Sequence, residues 1–191
     1  ADETILDAPV NRYELAAEAP KPLAAKPASP PVAADPVQAD PVAAARSAAA
    51  RAQTLDALRD AISGFDLCEL KKGARNTVFA DGNAKARVLI LGEAPGAEED
   101  REGRPFVGRA GQLLDRVFAA IGLSRTSPDS EAAFYITNVM PWRPPQNRDP
   151  EAGEIAMMLP FVERHIALAD PDLIVLMGNT PCAAALGALW I

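Results

Sequence analysis

Apolar and polar positions along the chain fall into blocks of helical and strand-like spacing. From Ala43 to about Ile62, alanines carry Leu55, Leu58 and Ile62 at helical intervals, predicting a helix that Gly64 ends. Val78 to Ala80 predicts a short strand followed by the turn Asp81-Gly82-Asn83, and Arg87 to Leu91 is a continuous apolar run of the buried-strand kind. Gln112 to Ile121 places Leu113, Leu114, Val117, Phe118 and Ile121 on one helical face. Ala133 to Val139 reads as a strand, Pro150 opens a helix to about Leu168, and Leu173 to Met177 reads as a third core strand. Asn179 then caps a short helix in which Ala183 to Leu186 are expected to be buried. Strands alternating with helices predict an α/β fold with a right-handed, mostly parallel sheet, and ligands of such sheets sit beyond the carboxyl ends of the strands. Two polar loops, Gly92 to Gly108 and Asn138 to Pro150, leave such ends.

Composition divides the chain. Residues 1 to 44 alternate alanine, proline and scattered charge with Tyr13 as the one aromatic, which predicts a disordered, partly extended tail. Residues 45 to 191 are expected to form one domain, since 49% hydrophobic residues over 191 suffice for a core. Cys68 and Cys182 make no C-x-x-C pair, so neither a disulfide framework nor a metal site is spelled out, and a reducing cytoplasm fits best. The apolar runs are too short to cross a bilayer. The chain begins with Ala1, and both ends are taken as open. A net charge of −7 runs against duplex binding, which favours a basic stripe. Arg101, Arg104, Arg109, Arg116, Arg143 and Arg148, however, cluster around the two loops.

The first loop, Gly92-Glu93-Ala94-Pro95-Gly96-Ala97-Glu98-Glu99-Asp100 followed by Gly103-Arg104-Pro105-Phe106-Val107-Gly108-Arg109-Ala110-Gly111-Gln112, matches neither dinucleotide nor triphosphate fingerprints. Its glycines let backbone approach a ligand closely; a tight surface loop with a solvated acidic run is the plainer alternative. The second loop puts the Asn138 amide, which both donates and accepts, at a strand end before a rigid basic turn. Such an amide can read the Watson–Crick edge of a base or simply make a turn.

Together the two loops resemble the family 4 uracil-DNA glycosylases, over about Leu58 to Leu186. The shared strings, in order, are G-E-x-P-G, G-R-P-F-V-G-x-A-G-Q-L-L, Y-I-T-N and R-P-P-x-N-R. The resemblance implies a three-layer α/β/α sandwich, C-terminally incomplete, that excises uracil from DNA in base-excision repair. It implies that Glu93 activates water and opposes positive charge on the sugar. It also implies that Phe106 stacks on the flipped base, Asn138 bonds the uracil edge, Glu99 crowds the C5 position and the Ala94 N–H helps fix the base. Arg104, Arg109, Arg143 and Arg148 are the expected phosphate contacts. Uracil-containing DNA is the expected partner of a monomeric, cytoplasmic, bacterial protein, and nothing in the tail specifies a protein partner. The alternative is a non-catalytic nucleic-acid or base-binding module derived from the same fold.

Two departures qualify the resemblance. The family holds a [4Fe–4S] cluster on four cysteines, whereas the matching positions here are Phe65, Cys68, Trp142 and Met158, so no cluster is expected and apolar bulk is expected in its place. The family's His-Pro segment, which supports the leaving base, would follow one more strand, and the sequence ends at Trp190-Ile191 before it. His165 does not match that histidine and is expected on a helix surface or at a cap.

Overall fold

The computed structural model describes residues 40–189, with side chains as far as residue 187. Residues 1–39 of the expected tail lie outside the described residues. Helix α1 (Pro41–Arg51) opens inside the last residues assigned to that tail. Asp40 caps it by accepting the Val42 N–H at 3.0 Å, and Pro41 occupies the first turn, where its missing N–H costs nothing. The single helix expected over Ala43 to Ile62 is two. α1 stops at Arg51 and α2 (Leu55–Ser63) begins afresh, because Thr54 takes extended backbone and its hydroxyl accepts the Ala57 N–H at 3.1 Å. Gly64 ends α2 as expected.

A short α3 (Leu70–Gly73) leads to β1 (Ala80–Gly82), two residues later than the expected strand and including two residues of the expected turn. There follow β2 (Val88–Gly92), α4 (Ala97–Glu102), α5 (Arg109–Ala119), β3 (Phe134–Asn138), α6 (Ala152–Ala169), β4 (Leu173–Leu176) and α7 (Asn179–Leu189). The sheet order is β1-β3-β2-β4, with β2 parallel to both neighbours and β1 antiparallel at one edge. The β2–β3 register sets Val88 against Phe134 and, at the carboxyl end, Gly92 against Asn138.

Alternation along β2 and β3 builds the three layers. Leu89, Leu91, Tyr135 and Val139 join the core under α1, α2 and α6, while Ile90, Phe134 and Ile136 face Leu114 and Phe118 of α5. The α5 face is narrower than expected. Leu113, Val117 and Ile121 are 55%, 55% and 69% exposed, because one helix over one side of a small sheet buries only the Gly111, Leu114, Phe118 stripe. β4 is an edge strand rather than a core strand among the described residues, with Leu173 exposed. In α7, Ala184 and Ala185 are buried, but Ala183 and Leu186 are exposed.

His165 corrects another expectation. It is 4% exposed, stacked on Phe79 with ring centroids 4.5 Å apart, and its Nε2 shares a 3.0 Å hydrogen bond with the Tyr135 hydroxyl. Its place on α6 turns it toward the sheet, and Phe79 and Tyr135 give the imidazole both an apolar face and a polar partner. Burial, with a smaller contribution from Arg59 nearby, pushes its pKa down to about 4. No helix among the described residues is long and apolar enough to cross a membrane.

Candidate active site

The carboxyl ends of β2 and β3 meet where the register pairs Gly92 with Asn138. Backbone bonds continue past the strands: Val139 N–H donates to Gly92 O and Met140 N–H to Glu93 O, both at 2.9 Å, so the two polar loops start side by side. Asn138 is 7% exposed, and its Oδ1 is buried with no hydrogen-bond partner. A Cβ built on Gly92 would lie 2.4 Å from that oxygen and 2.4 Å from Cζ of Phe106. Phe106 and the Asn138 amide therefore converge on a spot that only a residue without a side chain leaves open.

Glu93, one residue on, is half-buried, and its carboxylate Oε2 accepts a short hydrogen bond from the Thr180 hydroxyl in the first turn of α7. Ala94 packs half-buried against the core under α1 and α6. Four of the expected site residues, Glu93, Ala94, Phe106 and Asn138, thus gather at one sheet end.

Glu99, expected at the C5 position, is held by loop backbone. Its Oε2 accepts the Gly96 N–H at 3.1 Å, while Oε1 accepts the Val107 N–H at 3.0 Å and the Gly108 N–H at 2.9 Å. Both oxygens face loop backbone, and the carboxylate ties the start of α4 to the start of α5. Phe106, inside that tie, has φ of 53°, a left-handed conformation that costs a non-glycine residue about 1–3 kcal/mol and persists only where surroundings enforce it.

The arginines differ in what holds them. Arg148 makes a two-pronged pair with Glu154 at 2.9 and 2.7 Å, which fastens the proline loop to the first turn of α6 and lowers the Glu154 pKa. Arg104 is exposed beside Glu102 at 3.1 Å and Asp81 at 3.7 Å. Arg143 bonds Asn147 Oδ1 at 2.7 Å, and Arg109 is exposed at the start of α5.

The family model described as uracil DNA glycosylase superfamily matches residues 79–189, more than half the chain and all of both loops. The chain belongs to the uracil DNA glycosylase superfamily. It is 43% identical over 126 residues to a protein of Saccharolobus solfataricus named Type-4 uracil-DNA glycosylase, a match covering 65% of this chain and 56% of that one. To the Type-4 uracil-DNA glycosylase of Thermotoga maritima it is 37% identical over 128 residues, 67% of this chain and 64% of the other. A DNA polymerase of Bacillus phage SP01 is 32% identical over 116 residues, 61% of this chain but 12% of that protein. The chain thus spans little more than half the length of the Saccharolobus relative.

Within this superfamily member, the four positions Phe65, Cys68, Trp142 and Met158 are all buried in one apolar cluster, at 6%, 0%, 1% and 1% exposure. Phe65 packs edge-on against Phe161 with centroids 5.4 Å apart, and Trp142 Nε1 donates to the Thr77 hydroxyl at 3.1 Å. Burial pushes the Cys68 thiol pKa up, away from the thiolate that metal binding requires. One protonated thiol among aromatic and thioether neighbours does not fit an iron–sulfur cluster.

The sequence reading missed Gly92 as a spacer and Thr180 as the partner of Glu93. The first carries a signal in the string G-E-x-P-G. The second lies 87 residues away along the chain and becomes visible only when α7 folds back over β2.

Proposed function

We propose that this domain hydrolyses the N-glycosidic bond of uracil in DNA after the nucleotide has been turned out of the duplex. The observation that carries the reading is the buried, unpartnered Oδ1 of Asn138 beside Phe106. Uracil offers an N3–H to such an acceptor, whereas cytosine offers a lone pair at the same atom and would be repelled. An orphaned acceptor that costs stability in the free protein is satisfied when the right base enters.

Phe106 supplies the stacking face. Glu93, anchored by Thr180, stands where a carboxylate can orient a water and oppose charge on an oxocarbenium-like sugar. The Ala94 N–H adds a backbone donor beside it. Arg109 and Arg143, which have no carboxylate partner among the described residues, are the better placed of the basic residues for phosphates, ahead of Arg104 and Arg148. The likeness to a segment of a phage DNA polymerase is in keeping with DNA as the substrate. The domain would do this work in the cytoplasm, as a monomer. It would do so without an iron–sulfur cluster, the apolar side chains at Phe65, Trp142 and Met158 filling the core instead.

The test is a duplex carrying one uracil. Wild-type protein converts it to an abasic, alkali-labile strand, and Glu93→Gln lowers kcat by about 10²–10⁴-fold, the usual contribution of a positioned acid or base. It still binds the uracil strand in preference to the thymine strand. Binding by wild type without any strand conversion would instead establish a non-catalytic base-binding module.

A further inference from the structure

Arg125 lies in the loop after α5, outside every motif above, yet its side chain is only 10% exposed. Its guanidinium spends four N–H donors on four partners. Nε donates to Asp115 Oδ1 at 2.9 Å, and Nη1 donates to Asp81 Oδ2 at 3.1 Å and to Pro105 O at 3.0 Å. Nη2 donates to Phe106 O at 3.0 Å. Pro105 O and Phe106 O belong to the two peptide planes that meet at the Phe106 Cα, so one rigid fork fixes both dihedrals of that residue. The Phe106–Val107 peptide is gripped at its other end as well, because its N–H donates to Glu99 at 3.0 Å. Gly111 completes the seat: a Cβ there would stand 1.7 Å from Phe106 O, so the carbonyl lies directly on the first turn of α5.

We propose that Arg125 is a positioning residue for the base site, holding Phe106 in its left-handed conformation so that the ring faces Gly92 and Asn138. The proposal takes Phe106 to be the stacking residue of the excision reading. The two aspartates, on β1 and α5, aim the guanidinium and balance its charge, so a carbonyl-binding fork is kept where a hydrophobic contact would otherwise suffice. Lysine at this position retains a charge, but its three donors sit on one nitrogen and cannot serve the four separate oxygens that the planar guanidinium reaches from three.

The test uses Arg125→Lys and Arg125→Met in protein labelled with 4-fluorophenylalanine, whose six phenylalanines give resolvable fluorine resonances. The Phe106 line is assigned by its loss in Phe106→Leu. The expected result is a shifted or broadened Phe106 resonance in Arg125→Lys with the lines of Phe65, Phe79 and Phe161 in place; Phe134, whose ring lies 5.7 Å from the guanidinium, and its neighbour Phe118 are not used as controls. The excision kcat/KM is expected to fall about tenfold, the scale of one base–aromatic stack. In the Phe106→Leu background the same Arg125→Lys change should cost less than about twofold, because coupled residues are not additive. Should Arg125→Met fail to fold, Arg125→Lys alone carries the comparison. An unmoved Phe106 line, or an equal loss of activity in both backgrounds, overturns the proposal. A wild-type protein that leaves uracil-containing DNA intact sinks the excision reading alone, since the Phe106 resonance decides the role of Arg125 without turnover.

Discussion

At Asn138 a buried carbonyl oxygen without a partner costs about 1–3 kcal/mol. Removing it should therefore separate stability from function. Asn138→Ala is expected to hold or raise the melting temperature while lowering uracil kcat/KM by about ten- to a hundredfold, the worth of one good amide–base pair. Thermal melts and steady-state excision on the same preparation check both halves. Gly92→Ala makes the opposite demand on the same spot, placing a methyl 2.4 Å from both Phe106 Cζ and Asn138 Oδ1. It is expected to lower excision by about a hundredfold, as misplacement by an ångström does. Much at this scale is legible in the sequence: Glu93, Phe106 and Asn138 sit in recognisable strings, and the β2–β3 register sets Gly92, next to Glu93, against Asn138. Glu99 was legible as a loop residue but its backbone bonds were not, because they join N–H groups eight and nine residues away.

Among the elements, β2, β3 and α6 fall within two residues of expectation, since a continuous apolar run and a proline-led helix are strong local signals. The α1–α2 break was hidden because alanine favours helix on both sides of it, and only the Thr54 cap divides them. The exposed side of α5 was hidden for a different reason. Five apolar residues define a face, but the partner surface decides how much of it is covered. The packing of α6 on the sheet has a consequence for acid stability. His165 is neutral in the folded state with its pKa lowered to about 4, while the unfolded chain takes up a proton near its ordinary value of 6.5. Protons therefore favour the unfolded state as pH falls, so stability is complete above about 6.5 and declines by about 3 kcal/mol on the way to 4. Urea unfolding at pH 7 and pH 4.5 should show this decline in wild type, and His165→Gln should remove most of it.

At the scale of the whole molecule, a net charge of −7 bears on the proposed nucleic-acid substrate through where the charge lies. More acid than base is turned inward: Glu154 pairs with Arg148, Asp81 and Asp115 share Arg125, and Glu99 is held by loop backbone. Asp100 likewise accepts the Arg75 and Asn76 N–H groups. The core, built around buried Phe65, Cys68, Trp142 and Met158, leads to the expectation that purified protein is colourless and iron-free after aerobic or anaerobic preparation. Metal analysis and visible absorption check this, and stoichiometric iron with sulfide would refute it. The central claim is that the Asn138 acceptor and its neighbours select uracil for excision. Its most direct measurement is the rate of abasic-site formation in matched oligonucleotides carrying uracil, cytosine or thymine at one position, for wild type and Asn138→Ala. The account predicts release of uracil alone by wild type and loss of that release in the variant. Equal rates for the two proteins, or wild-type release of cytosine as readily as uracil, would contradict it.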